Sequence, residues 1–153
     1  MNALELKVPP LALVLVLAGA MWFTAMQCPS LAITLPWLHG FAATVFMVGI
    51  LFLLAGVYSF HKAKTTLNPM KPDTASSLVG SSIYRVSRNP MYLGFLFALT
   101  GWAIWLSHPL PFLSLPVFVV YMNRFQISPE ERVLSAKFGE EYDTYKQRVR
   151  RWL

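Results

Sequence analysis

Two long runs without a single charged residue constrain this chain more than anything else in it. Residues 8–60 hold no Asp, Glu, Lys or Arg, and residues 92–123 hold none either. In water, runs of that length would lack the polar surface needed to cover themselves. In a bilayer, a helix crosses the hydrocarbon core with about 20 apolar residues, within a range of about 17 to 25, so each run has room for two crossings. Backbone in lipid must satisfy its own N–H and C=O groups, which makes helices the spanning element here. The predicted spans are 10–26 and 38–60 in the first run, separated by Cys28, Pro29, Ser30 and Pro36. The second run gives 90–107 and 112–125, separated by His108, Pro109 and Pro111. The last two, so closely joined, read as a short hairpin with Pro116 inside its second arm. Composition agrees, since 56% of the 153 residues are hydrophobic and only 13% are charged, against about 25% charged in ordinary soluble domains.

A cleaved leader is the rival reading of the first span. Residues 1–7 carry one Lys balanced by one Glu, and no small-residue cleavage pattern closes the apolar segment. It is therefore expected to remain as a span. The lone Cys28 excludes an intramolecular disulfide and reads as a buried neutral thiol.

The 13 basic residues give the orientation. Lys7 precedes the first span. Lys62, Lys64, Lys71, Arg85 and Arg88 lie between the second and third. Arg124, Arg132, Lys137, Lys146, Arg148, Arg150 and Arg151 belong to the end of the last arm and the C-terminal segment beyond it. The connections around Ser30 and His108 hold no Lys or Arg. Every basic residue thus falls on one side, which the positive-inside rule makes cytoplasmic, together with both termini. The formal net charge of +6 suits contact with anionic lipid beside the membrane. The partner it implies is the bilayer, not nucleic acid. One domain of residues 1–153 is expected, with two N-terminal spans in 1–60 and the chemistry in 61–153.

The cytoplasmic part opens on a turn-rich stretch, residues 67–73. Residues 84–94 come next, reading Y-R-V-S-R-N-P-M-Y-L-G. Asn89 and Pro90 read as the N-cap and first residue of a helix. With Arg88 beside it, that helix end favours an anionic group; the plainer reading is a capped helix with interfacial Arg and Tyr anchors. Further on, Ser128-Pro129-Glu130-Glu131 reads as a capping box starting another helix. Leu134, Phe138, Tyr142, Tyr145, Val149 and Trp152 recur at spacings of three and four and form one apolar face. Gly139 is expected to break or kink that helix. The plain reading is an amphipathic helix lying on the cytoplasmic surface. Glu131 would cap, leaving Glu130 as a second carboxylate at a membrane surface in need of a donor or a ligand. The three His and one Cys show no metal-ligand spacing, so no metal is expected.

The R-N-P-M-Y-L-G core of residues 88–94 resembles the R-H-P-x-Y-x-G motif of isoprenylcysteine carboxyl methyltransferases. Pro129-Glu130-Glu131, then Phe138-Gly139-Glu140-Glu141-Tyr142 and Tyr145, resemble that family's E-E…F-G-E-E-Y-x-x-Y ending. The similarity covers about residues 68–149, and phospholipid N-methyltransferases share the architecture. The resemblance implies an all-α integral membrane enzyme with four transmembrane helices, the last two a short hairpin, and a cytoplasmic C-terminal helix. It implies S-adenosyl-L-methionine as cofactor, held by Ser76, Ser77, Leu78, Val79, Tyr84, Asn89, Pro90, Met91, Tyr92 and Glu130. A carboxylate suits the cofactor's ammonium and sulfonium; a helix N-terminus and Arg88 suit its carboxylate. Arg88 and Arg124 are the charged residues expected to act in the reaction.

Two positions depart from the motif. Asn89 stands where the prenylcysteine enzymes have His, and Gln126 where they have an Arg that contacts the substrate carboxylate. Arg124 and Gln126 are the residues expected to face the acceptor. With Gln126 there, the acceptor is expected to be a lipophilic amine, a thiol or a neutral lipid entering from the membrane. Methyl transfer from a sulfonium is an in-line displacement, so alignment and exclusion of water matter more than a base. A sterol-reductase-like, nicotinamide-dependent membrane enzyme and a non-catalytic protein of the same fold are the alternatives. Small size and the resemblance point to a prokaryotic inner membrane.

Overall fold

The computed structural model describes residues 5–27, 29–33, 35–63, 70, 77–80 and 82–153. Among these residues all the regular structure is helical. The helices are α1 (Pro10–Gln27), α2 (Leu38–Lys62), α3 (Pro90–Trp105), α4 (Ser114–Tyr121), α5 (Ser128–Phe138) and α6 (Glu140–Arg148). Short 3-10 turns occupy Pro29–Leu31, Ser82–Arg85 and Leu110–Leu113, and a π-helical turn, Met122–Ile127, joins α4 to α5. Most of the turn-rich stretch 67–73 lies outside the described residues, as does Cys28.

Among the described residues three helical stretches are long and apolar enough to cross a membrane: Pro10–Gln27, Leu38–Lys62 and Leu110–Phe138. α3 is apolar but has 16 residues, about 24 Å at 1.5 Å per residue. The sequence predicts a fourth span ending near Phe125, followed by a separate helix capped at Ser128. The structure instead runs one helical rod of 29 residues from Leu110 to Phe138, about 43 Å long and so longer than the hydrocarbon core is thick. Ser128 has helical backbone angles, and its hydroxyl donates to the Asn123 carbonyl at 2.6 Å. It is not an N-cap, and the predicted capping box does not form.

The π-helical turn has a local cause. Pro129 has no N–H for the carbonyl four residues back, that of Phe125, and its ring crowds that oxygen. The helix widens just before Pro129, and the Ser128 N–H reaches back five residues to Asn123. The freed Phe125 carbonyl accepts instead from the Leu6 N–H at 3.0 Å. Glu5, buried, accepts from Arg132 at 2.7 Å and ties the N-terminal segment to the same end of the rod.

α2 and α3 pack most closely. A Cβ on Gly94 would lie 2.7 Å from the Gly49 carbonyl oxygen, and one on Gly49 would lie 2.6 Å from that of Gly94. The glycine closing the R-N-P-M-Y-L-G motif is therefore required by helix contact. The interior between α1, α3 and the rod is filled by Leu17, Met21, Tyr92, Leu99, Ala103, Phe118, Met122 and Ile127. At one end of the bundle the Ile33 N–H meets the Ser107 carbonyl at 2.7 Å. The opposite end gathers Lys62, Arg85, Arg88, Glu5, Arg132 and α6.

Gly139 has φ +53° and separates α5 from α6. α6 turns back, so that the predicted apolar face is used inside the molecule: Tyr142 is buried, and the Tyr145 hydroxyl donates to the Tyr84 carbonyl at 2.7 Å.

Candidate functional site

Three groups of side chains meet at the charged end of the bundle. The first is a polar triad in which Tyr92 and Gln126 are buried and Glu130 is half-buried. The Tyr92 hydroxyl, on the first turn of α3, donates to Glu130 Oε1 at 2.5 Å. Gln126 Nε2 donates to the same oxygen and lies 3.4 Å from the Tyr92 hydroxyl. Gln126 and Glu130 are four residues apart on the rod, one helical turn, and the π-helical turn sets the angle at which they meet α3. A carboxylate so enclosed requires donors of this kind.

Three phenols pack together at the same end of the bundle, the Tyr142 and Tyr145 rings 6.1 Å apart between centroids and the Tyr145 hydroxyl donating to the Tyr84 carbonyl. Tyr84, Tyr142 and Tyr145 have hydroxyls pushed well above the ordinary phenol range, chiefly by burial. The charge of Glu130 adds a smaller effect at Tyr84, and that of Glu131 does so at Tyr142. These phenols stay neutral donors at any working pH. Phe60 of α2 meets Tyr84 edge to face at 5.5 Å between ring centroids.

Tyr145 also borders a cleft of about 660 Å³, lined with it by Leu78, Gly80, Arg85, Glu140, Glu141, Thr144, Arg148 and Val149. Two guanidinium groups and two carboxylates line one cleft with an apolar wall. That set complements a ligand carrying both a carboxylate and a cationic centre.

The third group surrounds the start of α3. Arg88 Nη2 pairs with Glu131 Oε1 at 2.9 Å, and Arg151 grips both oxygens of Glu131, at 3.1 and 2.6 Å. The Asn89 side chain makes no cap to α3; its Nδ2 donates to the Arg151 carbonyl at 2.9 Å. Asn89 does hold the N-cap position and Pro90 opens α3, as predicted, but the Asn89 amide caps nothing, and the predicted capping role of Glu131 is replaced by its pairs with Arg88 and Arg151.

The other residues singled out in the sequence are dispersed. Leu78 lines the cleft, Val79 is buried beside it, and the Ser77 hydroxyl donates to the Ala63 carbonyl at 3.4 Å. Ser76 lies outside the described residues. Pro90 is buried in the first turn of α3, and Met91 covers Gly56 of α2. Arg124 is exposed, its guanidinium 5.6 Å from the centre of the Phe125 ring. The structure thus joins Tyr92, Gln126 and Glu130 in one group and Arg88 and Asn89 in another. Sequence reasoning missed Arg85, Arg148 and Arg151. Arg85 stands four residues before Asn89 and could have been found by its place next to the motif; nothing local marks Arg151. Among the described residues no three His, Cys, Asp or Glu side chains gather as a metal ion would require.

The chain matches the family model for phospholipid methyltransferases over residues 37–141. Protein-S-isoprenylcysteine O-methyltransferase B of Arabidopsis thaliana is 27% identical over 113 residues, which are 74% of this chain and 57% of that one. Methanethiol S-methyltransferase 1 of Bradyrhizobium diazoefficiens is 30% identical over 125 residues, 81% of this chain and 42% of that one. An uncharacterized protein of Haemophilus influenzae is 49% identical over 63 residues, 41% of this chain and all of that one. The chain therefore spans about half the length of the methyltransferases it matches. No solved structure matches significantly.

Proposed function

Because this chain belongs to the phospholipid methyltransferase family, we propose that it is an integral membrane methyltransferase that uses S-adenosyl-L-methionine and methylates a lipophilic or lipid-linked acceptor. The observation that carries this reading is the mixed-charge cleft, with Arg85 and Arg148 beside Glu140 and Glu141, at the same end of the bundle as the Glu130–Tyr92–Gln126 triad. The cofactor's amino-acid end needs both charges, and its sulfonium favours a nearby carboxylate. The donor set fits that ligand on both counts. When bound, the cofactor supplies an electrophilic methyl group on sulfur.

This chain's residues then have three tasks. Arg85, Arg148, Glu140 and Glu141 bind and orient the polar end, while Leu78, Tyr145 and Val149 offer an apolar wall. Glu130 supplies negative potential at the cationic centre, held ready by Tyr92 and Gln126. Tyr84 and Tyr142, both buried, help exclude water, which would otherwise compete as acceptor. Val79, next to Leu78, and Asn89 and Pro90, at the start of α3, flank these residues, whereas Ser77 donates to the Ala63 carbonyl and Met91 packs on α2. Alignment is the main catalytic contribution such a site can make.

The acceptor side is the membrane. Tyr92 and Gln126 sit where the polar end meets the apolar interior, so a lipid-soluble acceptor has an approach through the bilayer. Gln126 is buried and committed to Glu130, and Arg124 points away over Phe125. Neither offers a carboxylate the charge-assisted fork that a well-placed Arg gives. We therefore favour a thiol, an amine or a neutral lipid head group over a prenylcysteine carboxylate. The similarity to an enzyme named for methanethiol agrees with a thiol. The arrangement we propose is four spans, with α3 and α4 as the hairpin, and both termini cytoplasmic in a prokaryotic inner membrane.

Tritium transfer tests this. Purified protein in lipid bilayers is offered labelled S-adenosyl-L-methionine with a lipophilic thiol, a lipophilic amine and a farnesyl-cysteine analogue. Transfer to thiol or amine is expected. Transfer only to the carboxylate, lost in Arg124→Ala, would overturn the acceptor reading; transfer to none would count against the enzyme.

A further inference from the structure

We infer that residues 149–153 form a strap that positions the start of α3, and that Arg151 is a positioning residue acting through Glu131 on Arg88. The inference rests on the methyltransferase reading above, in which the start of α3 adjoins the cofactor.

The strap lies across the segment that introduces α3. The Arg88 N–H donates to the Arg150 carbonyl at 2.9 Å, Asn89 Nδ2 to the Arg151 carbonyl at 2.9 Å, and the Ser87 hydroxyl to the same carbonyl at 3.3 Å. Trp152 Nε1 and Arg151 Nη1 both reach Asn123 Oδ1 of the π-helical turn, at 3.1 and 3.4 Å. One short segment therefore ties α3 to the rod that carries Gln126 and Glu130.

The side-chain pairing divides Glu131 unequally. Arg151 takes both carboxylate oxygens with its fork, which leaves Arg88 a single nitrogen on Oε1. Arg88 Nη1 has only a 3.4 Å contact with the Lys146 carbonyl, and its Nε is buried without a hydrogen-bond partner among the described residues. A planar fork pairs best with a carboxylate bidentately. Were Arg151 absent, Glu131 would be free to turn and take Arg88 in that way. Arg151 thus holds Glu131 turned away from full engagement and keeps Arg88, 11% exposed, under-committed beside the first turn of α3. Lys cannot substitute, because a point charge does not occupy both oxygens in a fixed plane.

The test compares wild type, Arg151→Ala, Arg151→Lys and, as a charge-loss control, Lys137→Ala, in bilayers. Two readouts are taken: the KM for S-adenosyl-L-methionine against kcat at saturating donor, and hydrogen exchange at the Arg88 amide. The expected result is a KM raised about tenfold in Arg151→Ala with kcat lowered less than about threefold, incomplete rescue by Lys, and faster exchange at Arg88. Faster exchange with an unchanged KM would overturn the positioning role while leaving the enzyme reading intact. Equal KM and equal exchange in all four proteins would overturn the claim that the Arg151 side chain positions the start of α3. A wild type that neither binds nor turns over the donor would remove both readings together. If Arg151→Ala does not fold, Arg151→Lys carries the same comparison, and full rescue there would refute the need for a fork.

Discussion

At the scale of single residues, two adjacent glutamates have different work. Glu130 faces inward to Tyr92 and Gln126, and Glu131 faces Arg88 and Arg151. Glu130→Gln is expected to weaken cofactor binding about tenfold or more, since losing a charged partner costs about 1.5 to 3 kcal/mol. Calorimetry on the variant measures this, and unchanged affinity would take Glu130 out of the site. Glu131→Gln is expected to act on stability first, because it leaves two guanidinium groups at a carboxylate site only 15% exposed. A loss of about 2 to 3 kcal/mol should appear as a lowered melting temperature in detergent. A variant as stable as wild type would mean that the pairs with Arg88 and Arg151 contribute little.

At the scale of elements, the sequence was most informative where one residue type settles the matter locally and least where the partner is far along the chain. The apolar runs made the helices legible because lipid leaves backbone polar groups no partners but one another. Gly139 was legible as a break because its backbone angle suits glycine. Ser128-Pro129 misled, since the same pair that opens a helix in water here sits inside one: the widened turn from Met122 to Ile127 absorbs the proline. Asn89 was legible as the residue before α3, but its side chain caps nothing, its amide being drawn to a carbonyl 62 residues away. Two predictions belong here. Gly94→Val should place a branched side chain against the Gly49 carbonyl and Leu53 and destabilise the α2–α3 pair by about 1 to 3 kcal/mol, read as a lower melting temperature; no change would mean that the helices separate freely. Pro129→Ala restores an N–H for the Phe125 carbonyl, so the rod should straighten. Thermal stability should hold or rise while cofactor affinity falls several-fold, as Gln126 and Glu130 turn away from Tyr92. Unchanged affinity would detach the π-helical turn from the site.

At the scale of the molecule, one end of the bundle is charged and folded upon itself, and the opposite end carries no Lys or Arg. Reporter fusions at Ser30 and after Leu153 are expected to give opposite signals, with the latter cytoplasmic; a cytoplasmic signal at Ser30 would contradict the topology. The same polarity underlies the proposed function, since a water-soluble cofactor and a lipid-soluble acceptor can meet only where cleft and bilayer adjoin. Motif residues singled out Tyr92 and Glu130 in the sequence, and the structure joins the two, but the cleft of Arg85, Arg148, Glu140 and Glu141 required α6 to fold back beside Leu78, Gly80 and Arg85. The most direct measurement is a calorimetric titration of the purified protein, in lipid nanodiscs, with S-adenosylhomocysteine. Saturable binding is expected, with one ligand per chain, weakened about tenfold or more in Glu130→Gln. Absence of binding by a correctly folded wild-type protein would contradict the methyltransferase function proposed for this chain.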